Sequence, residues 1–399
     1  MTDTSIPAFP PDQDYGEAAL DARRAFASEA TGVDLEALRI EGDAEAFRGN
    51  VENIFGFVAL PVGLAGPLVL NGEHADGAVM VPLATTEGTL VASYNRGMRA
   101  IRECGGVATA VLKNEIYSSA TFVTGSPEAA AELADWIAAN HAAIAAVVAD
   151  ETAHGRYLRA DCIPFGARLI VNLVYDPADA MGINMITSAS HAVCGMIATT
   201  NGANAGNGGL ALEFYLPSAL QGDKKATAYG YRNGRGRSVR AQLRLRASVI
   251  EDTLHASPAA MLRYHRNNVE TAALAGGFGF NMHIANGITA LGLATGQDVA
   301  YVGESANGQL VIEPLGDDLL LTLTIPSLYV GTVGGGTGLP THRPCLEMMG
   351  CQGPGSALKL AEIFAGTCLA GEISVLAAIA SDQFVRAHDR LGRNRPGAG

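Results

Sequence analysis

Residues 108–151 read "ATAVLKNEIYSSATFVTGSPEAAAELADWIAANHAAIAAVVADE", and the fold turns on the change of character inside this stretch. The part ending at Gly125 is strand-like. Ser126 then offers a helix N-cap and Pro127 a first helical position, so one long helix is expected through Glu151. A second strand, "ARLIVNLVYD" (167–176), a turn entering a helix, "DAMGINMITSASHAVCGMIATT" (179–200), and a third strand, "LALEFYLP" (210–217), follow. Strands separated by helices in this order predict a compact α/β unit over 107–217.

On the N-terminal side, residues 1–50 are acidic, begin Pro-rich and turn helical, as a small helical arm would. From Val51 the chain becomes apolar and Gly-punctuated: "IFGFVALPVGLAGPLVLNG" (54–72) and "ADGAVMVPLAT" (75–85) read as strands. "TEGTLVASYNRGMRAIREC" (86–104) has helical spacing, with Leu90, Val91, Tyr94, Met98 and Ile101 on one face. Beyond 217, long helices alternate with strand-like runs such as "LVIEPLGDDLLLTLTIPSLYVGTV" (310–333), and a helix is expected over 356–390.

With 399 residues, 48% apolar and 17% charged, the chain is a well-packed globular protein of two or three domains. A net charge of −13 disfavours a nucleic-acid partner, which would want a basic face. The six cysteines are scattered, without a C-x-x-C pair or a zinc-finger histidine spacing, so no metal is assigned. The N-terminus lacks a secretory layout, and the longest apolar stretch is interrupted by Glu372. A cytoplasmic protein without a membrane segment is expected.

Four positions could carry chemistry, and each has a plain alternative. Glu87, between a strand and a helix, reads as a helix-start acid or as a buried general acid. Asp298 reads as a turn residue, and His283, three before Asn286, as a core histidine. His388, followed by Arg390, Arg393 and Arg395, reads as a cationic helix end or as a proton donor beside a phosphate site. The Gly-rich turns "GTVGGGTGLP" (331–340) and "DAMGINM" (179–185) allow close backbone approach to a ligand, but neither is a GxGxxG or Walker loop. Finally, "QGDKKAT" (221–227) holds two of the four lysines in a chain with 23 arginines.

In order along the chain, "ENIFGFVALPVGLAGPL", "PLATTEGTLVASYNRG", "DAMGINMI", "GDKKA", "GRGRSV", "NMHIANGITAL", "GQD", "IPSLYVGTVGGGTGLP", "GCQG", "GTCLAGEISVLAAIA" and the His388 helix resemble the catalytic portion of hydroxymethylglutaryl-CoA reductases, in the eukaryotic and archaeal "TTEG" form. The membrane region of animal members has no counterpart in this sequence. The resemblance implies an α+β fold: a large helix-rich α/β domain (51–106 and 218–399), an inserted small ferredoxin-like α/β domain (107–217) and the N-terminal arm (1–50). It also implies a homodimer with shared active sites, Glu87 and Asp298 from one subunit and Lys224 from the other.

The implied activity is NADPH-dependent reduction of the HMG-CoA thioester to mevalonate by two hydrides, without a metal, in isoprenoid biosynthesis. Lys224 would stabilise the oxyanion, a task that suits a compact ammonium better than a planar guanidinium. Glu87 would donate a proton in the second reduction, Asp298 would lie between the two, and His388 would protonate the departing thiolate. Ser93, Asn95, Arg96, Asp223, Lys225, Arg266, His283, Asn286 and Ser374 match substrate-side positions. Asp179, Met181, Gly182, Ile183, Asn184, Gln297, Gly334, Gly335 and Gly336 match cofactor positions, with Arg393 placed for a 2′-phosphate and so for NADPH over NADH. Val123 and Pro217 stand where the resemblance expects an arginine and a serine for the acyl carboxylate, although Ser218 is adjacent. Two alternatives follow: a reductase of another acyl-CoA or carrier-bound thioester, and a non-catalytic dimeric homologue.

Overall fold

The computed structural model describes residues 5–39, 42–202 and 212–382. Helix α1 (Glu17–Thr31) opens the chain, and Gly32, left-handed at φ 71°, ends it. With two short 3₁₀ turns it builds a small cluster of its own around Tyr15, Leu20, Ala44 and Ile54. Strands β1 (Val62–Gly72) and β2 (Asp76–Ala84) form an antiparallel pair, and α2 (Leu90–Glu103) follows. The stretch 54–61, read as strand from its apolarity, is not one. Among the described residues no strand pairs with it, and the Phe57 amide bonds the Leu38 carbonyl instead.

Strand β3 (Val107–Val123) is 17 residues long and serves two sheets. Its first half pairs with β1 and with β7 (Gly236–Leu245), which continues through β9 (Asp318–Leu328) to β8 (Gln309–Leu315). Its second half pairs with β5 (Arg168–Asp176) and β6 (Glu213–Tyr215), and β5 pairs with β4 (Arg156–Pro164). The second sheet therefore runs β4-β5-β3-β6, the strand order of a ferredoxin-like unit. Its helices are α3 (Pro127–Ala139), α4 (His141–Glu151) and α5 (Ile183–Asn201).

The Ser126 cap forms as expected, its hydroxyl accepting from the Ala129 amide at 3.1 Å. The single long helix does not: it breaks at Asn140, whose side chain donates to the Trp136 carbonyl at 2.7 Å. Strand β4 was not anticipated at all.

The rest of the chain covers the first sheet with α6 (Ala228–Asn233), α7 (Ala247–Asp252), α8 (Pro258–Leu274), α9 (Ile284–Ala294), α10 (Val302–Ser305), α11 (Arg343–Met348) and α12 (Ser356–Ala380). Helix α12 is buried without a break from Leu360 to Ala378, between α2, α9 and α8 and the face of β1, β3, β7 and β9. A helix that is apolar all round belongs in a large core. Length and hydropathy alone would let α12 cross a membrane, but 89% of its most apolar window is covered by this protein.

Candidate active site

Three groups of side chains gather the residues singled out from the sequence. The first surrounds the lysine turn. Lys224 Nζ lies 2.9 Å from Asp298 Oδ2 and 4.9 Å from the centre of the Tyr301 ring. Asp298 Oδ1 accepts from the Ala300 amide, so the turn reading and the pairing both hold geometrically. The two partners belong to one chain. The expected division, with Asp298 and Lys224 on opposite subunits, is therefore corrected: the turn 222–225 and the α9–α10 connection are packed together locally.

Asp223 accepts from Arg235 Nη1 at 2.8 Å and from the Tyr301 hydroxyl at 3.1 Å. Burial alone would raise its carboxyl, but Arg235 holds it below the usual range. Lys225 is exposed and reaches the Asp223 carbonyl, and Arg266 is exposed on α8. Beside the turn opens a cleft of about 490 Å³, walled by Ala226, Phe278, Phe280, Ala285, Val302 and Asn307. It offers room and no cation.

The second group sits at the N-terminus of α9. Asn286 Nδ2 donates to Glu87 Oε2 at 2.8 Å, and the His283 ring stacks on Tyr94 at 4.8 Å. Glu87 is exposed, in the loop before α2. Burial lowers the His283 imidazole below its usual range, while the nearby Glu87 pulls the other way. One turn along α2, Ser93 Oγ and Arg96 Nε meet Ser374 Oγ at 3.0 and 3.1 Å, and Asn95 Oδ1 accepts from the Gly66 amide.

The third group lies under the Gly-rich turn. The Gln297 amide donates to and accepts from Gly331, both at 2.9 Å. Gly296 and Gly336 touch backbone to backbone. Ala180 and Val333 form a β-bridge, which sets Met181 beside the Gly334–Gly336 turn. Asp179 accepts from the Gly355 and Ala357 amides at 2.9 Å and so caps α12. Gly182, at φ 92°, starts α5 without a side-chain cap, leaving the amides around Ile183 and Asn184 open to an anion. A Cβ on Gly334 or Gly335 would meet nothing within 4 Å, so the turn presents bare backbone. These features suit a dinucleotide.

Gln297 and Asp298 are adjacent, which joins the third group to the first. Among the described residues no hydrogen bond or ion pair links Glu87 to them. The Gln297 amide bonds back to the Gly292 carbonyl, six residues from Asn286, or roughly 9 Å of helical rise. His388 and Arg393 lie outside the described residues. Val123 ends β3, opposite Arg168 and Glu213, while Ser218 bonds Thr121 at 2.9 Å.

Several residues here escaped the sequence reading. Arg235 is 1% exposed, its guanidinium over the rings of Tyr117 and Tyr329, and bonds Glu304 Oε1 at 3.1 Å. Burial pushes Glu304 up to about 7 against the pull of Arg235 and the Lys224 amide. Arg237 ties Ala178, Ala180 and Val330 together, and burial lowers its guanidinium to about 10. Arg235 and Arg237 lay in the quoted "GRGRSV" run without an assigned role, and Glu372 showed as a lone charge in an apolar run. It accepts from the Met282 and His283 amides at the start of α9.

Burial pushes Glu372 up to about 7 against those amide donors. The folded state thus holds its proton more tightly than the unfolded chain, and the stability this confers, full at low pH, is lost as pH rises through about 7. The stability of the protein minus that of Glu372→Gln should fall by roughly 2 kcal/mol between pH 5.5 and 8.5. Denaturant melts at the two pH values measure it. A pH-independent difference would contradict the assignment.

The hydroxymethylglutaryl-coenzyme A reductase family profile matches residues 19–393. A 3-hydroxy-3-methylglutaryl-coenzyme A reductase of Methanocaldococcus jannaschii is 37% identical, covering 98% of each chain. One from Aeropyrum pernix is 41% identical, covering 94% of this chain and 90% of its own. A class II 3-hydroxy-3-methylglutaryl-CoA reductase of Streptococcus pneumoniae, solved bound to NADPH in open conformations, shares the fold with a TM-score of 0.65 at 20% identity, covering 93% of this chain and 99% of that one.

Proposed function

The chain belongs to the hydroxymethylglutaryl-coenzyme A reductase family, and on that premise we propose that it reduces 3-hydroxy-3-methylglutaryl-CoA to mevalonate and CoA with NADPH. The observation that carries this reading is the Lys224–Asp298 pair, 2.9 Å apart, next to the Gln297 clamp on the Gly-rich turn. An ammonium held there would face the thioester oxygen of a substrate bound beside the segments that would hold the dinucleotide.

When bound, the reduced nicotinamide would supply one hydride, and a second molecule, taking its place after the first reduction, would supply the other. Gly182, Ile183, Asn184 and Gly334–Gly336 would hold the dinucleotide, and Arg393 its 2′-phosphate. Lys224 donates to the oxygen that gains negative charge as the thioester carbonyl becomes tetrahedral. As the C–S bond breaks, His388 protonates the CoA thiolate, which stops its return to the aldehyde. In the second reduction Glu87 delivers the proton that completes the alcohol. Ser93, Asn95 and Arg96 face CoA, and Lys225 and Arg266 take the acyl carboxylate.

Glu87 reaches this site from a second copy of the chain. Its loop is tied to the entry of β1, where the Thr85 amide donates to the Pro61 carbonyl. Next to it, Val58, Leu60, Val62 and Leu64 are all exposed, Val58 by 78%. A row of apolar side chains beside a catalytic acid supports a homodimer in which each Glu87 enters the partner's lysine site.

Loss of nicotinamide absorbance with purified protein, NADPH and a panel of acyl-CoAs tests the proposal. Two NADPH should be consumed per HMG-CoA. Activity confined to other thioesters favours the alternative raised by Val123 and Pro217, and silence across the panel removes the enzymatic reading.

A further inference from the structure

We propose that Glu304 is a positioning residue that aims Lys224, an inference that rests on Lys224 as the cation facing the thioester oxygen. Lys224 has φ 58°, in the left-handed region. A side chain with a Cβ pays about 1–2 kcal/mol to sit there, so something must hold it. Its amide donates to Glu304 Oε1 at 2.6 Å.

That oxygen is itself fixed. Arg235 Nη1 reaches it at 3.1 Å and reaches Asp223, the residue before Lys224, at 2.8 Å. The Arg235 Nε donates to the Tyr117 carbonyl at 3.0 Å, inside the core. The backbones are in contact as well, since a Cβ on Gly303 would come within 2.5 Å of the Lys224 carbonyl oxygen. The turn is thus held at Asp223 by one buried guanidinium and at the Lys224 amide by one carboxylate, with the Gly303 backbone packed against the Lys224 carbonyl.

Glu304 is 5% exposed, and a buried ion pair adds little net stability over an apolar packing of the same shape. Holding the lysine backbone explains its place better. With the amide fixed, the side chain leaves the turn toward Asp298 and over Tyr301. Buried beneath the turn, Glu304 acts through Lys224 and not on the ligands themselves.

Three variants test the clamp through the position of the acceptor oxygen. Glu304→Gln keeps that oxygen, Glu304→Asp withdraws it by one methylene, and Glu304→Ala removes it. The Asp and Ala variants should lose roughly tenfold to a hundredfold in kcat, with KM for NADPH within about twofold of the parent. Glu304→Gln should stay within about threefold. Hydrogen exchange gives a readout independent of substrate: the Lys224 amide should exchange at least ~10-fold faster in the Asp and Ala variants and remain protected in the Gln variant.

Parental turnover and protection in Glu304→Asp and Glu304→Ala would overturn the proposal. So would a Gln variant as impaired as Ala. Wild-type protein inert toward HMG-CoA, but with the expected exchange pattern, would sink the assigned reaction and leave the clamp standing.

Discussion

Lys224→Arg is expected to lower kcat roughly a hundredfold to a thousandfold while leaving CoA affinity within about twofold, because one oxyanion donor is displaced and no CoA contact is touched. The native ammonium is held at two points, 2.9 Å from Asp298 and 4.9 Å above the Tyr301 ring. Guanidinium is longer and planar. To keep the Asp298 pair it would have to lie flat over the ring or push into the space where the thioester oxygen sits. Charge is conserved, so a loss of this size can only come from geometry. Steady-state kinetics and calorimetry with CoA separate the two effects. Turnover within a few-fold of wild type would remove the argument for an end-on cation.

The largest effect on stability is expected at Gly97. Helix α2 crosses α12 there so closely that an added Cβ would fall far inside the contact radius of the Ala370 carbonyl oxygen, with the Ala370 backbone carbons also too near. Backbone cannot rotate away as a flexible side chain can. Tyr94, on the same helix, is already wedged, since a Cβ on Gly287 would lie 2.6 Å from its hydroxyl and one on Gly371 2.5 Å from its ring.

Gly97→Ala should therefore cost about 3 kcal/mol or more, the upper range for overpacking, and lower Tm by roughly 3–5 °C. The shift would also move Ser93 and Arg96 against Ser374. Gly195→Ala is the control: it lies inside α5 with nothing within 4 Å of its added Cβ. It should be neutral or stabilising by up to about 1 kcal/mol through helix propensity. Equal melting temperatures for the two variants would contradict the close helix crossing.

How far the sequence could be read follows the range of each interaction. The α3 cap was legible because Ser126 and Ala129 are three residues apart. The break at Asn140 was not, since the helical pattern on either side is continuous and only a lower propensity marks the spot. Strand β4 was missed because "RYLRADCIP" mixes charges into its apolar positions, as a strand at the edge of its sheet can. The Gly-rich turn could be marked as a close-approach site, but its neighbours Gly296 and Gln297 stand about 40 residues away in the chain.

The amino-acid order by itself marked the strands at 108–125 and 167–176 with the Ser126-capped helix between them, the helix through Tyr94 and Met98, the paired lysines and the run of motifs that places the chain in its family. Each of these is written in spacings of a few residues, where one helical turn or one strand pleat connects cause and effect. Tertiary structure alone decided that Lys224 pairs with Asp298 of its own chain, 74 residues on, and that Arg235 and Glu304 are buried beneath it. Those pairings depend on how β3, β7 and β9 close over the turn. A buried charge is indistinguishable from a solvated one until the groups that desolvate and satisfy it have been brought together.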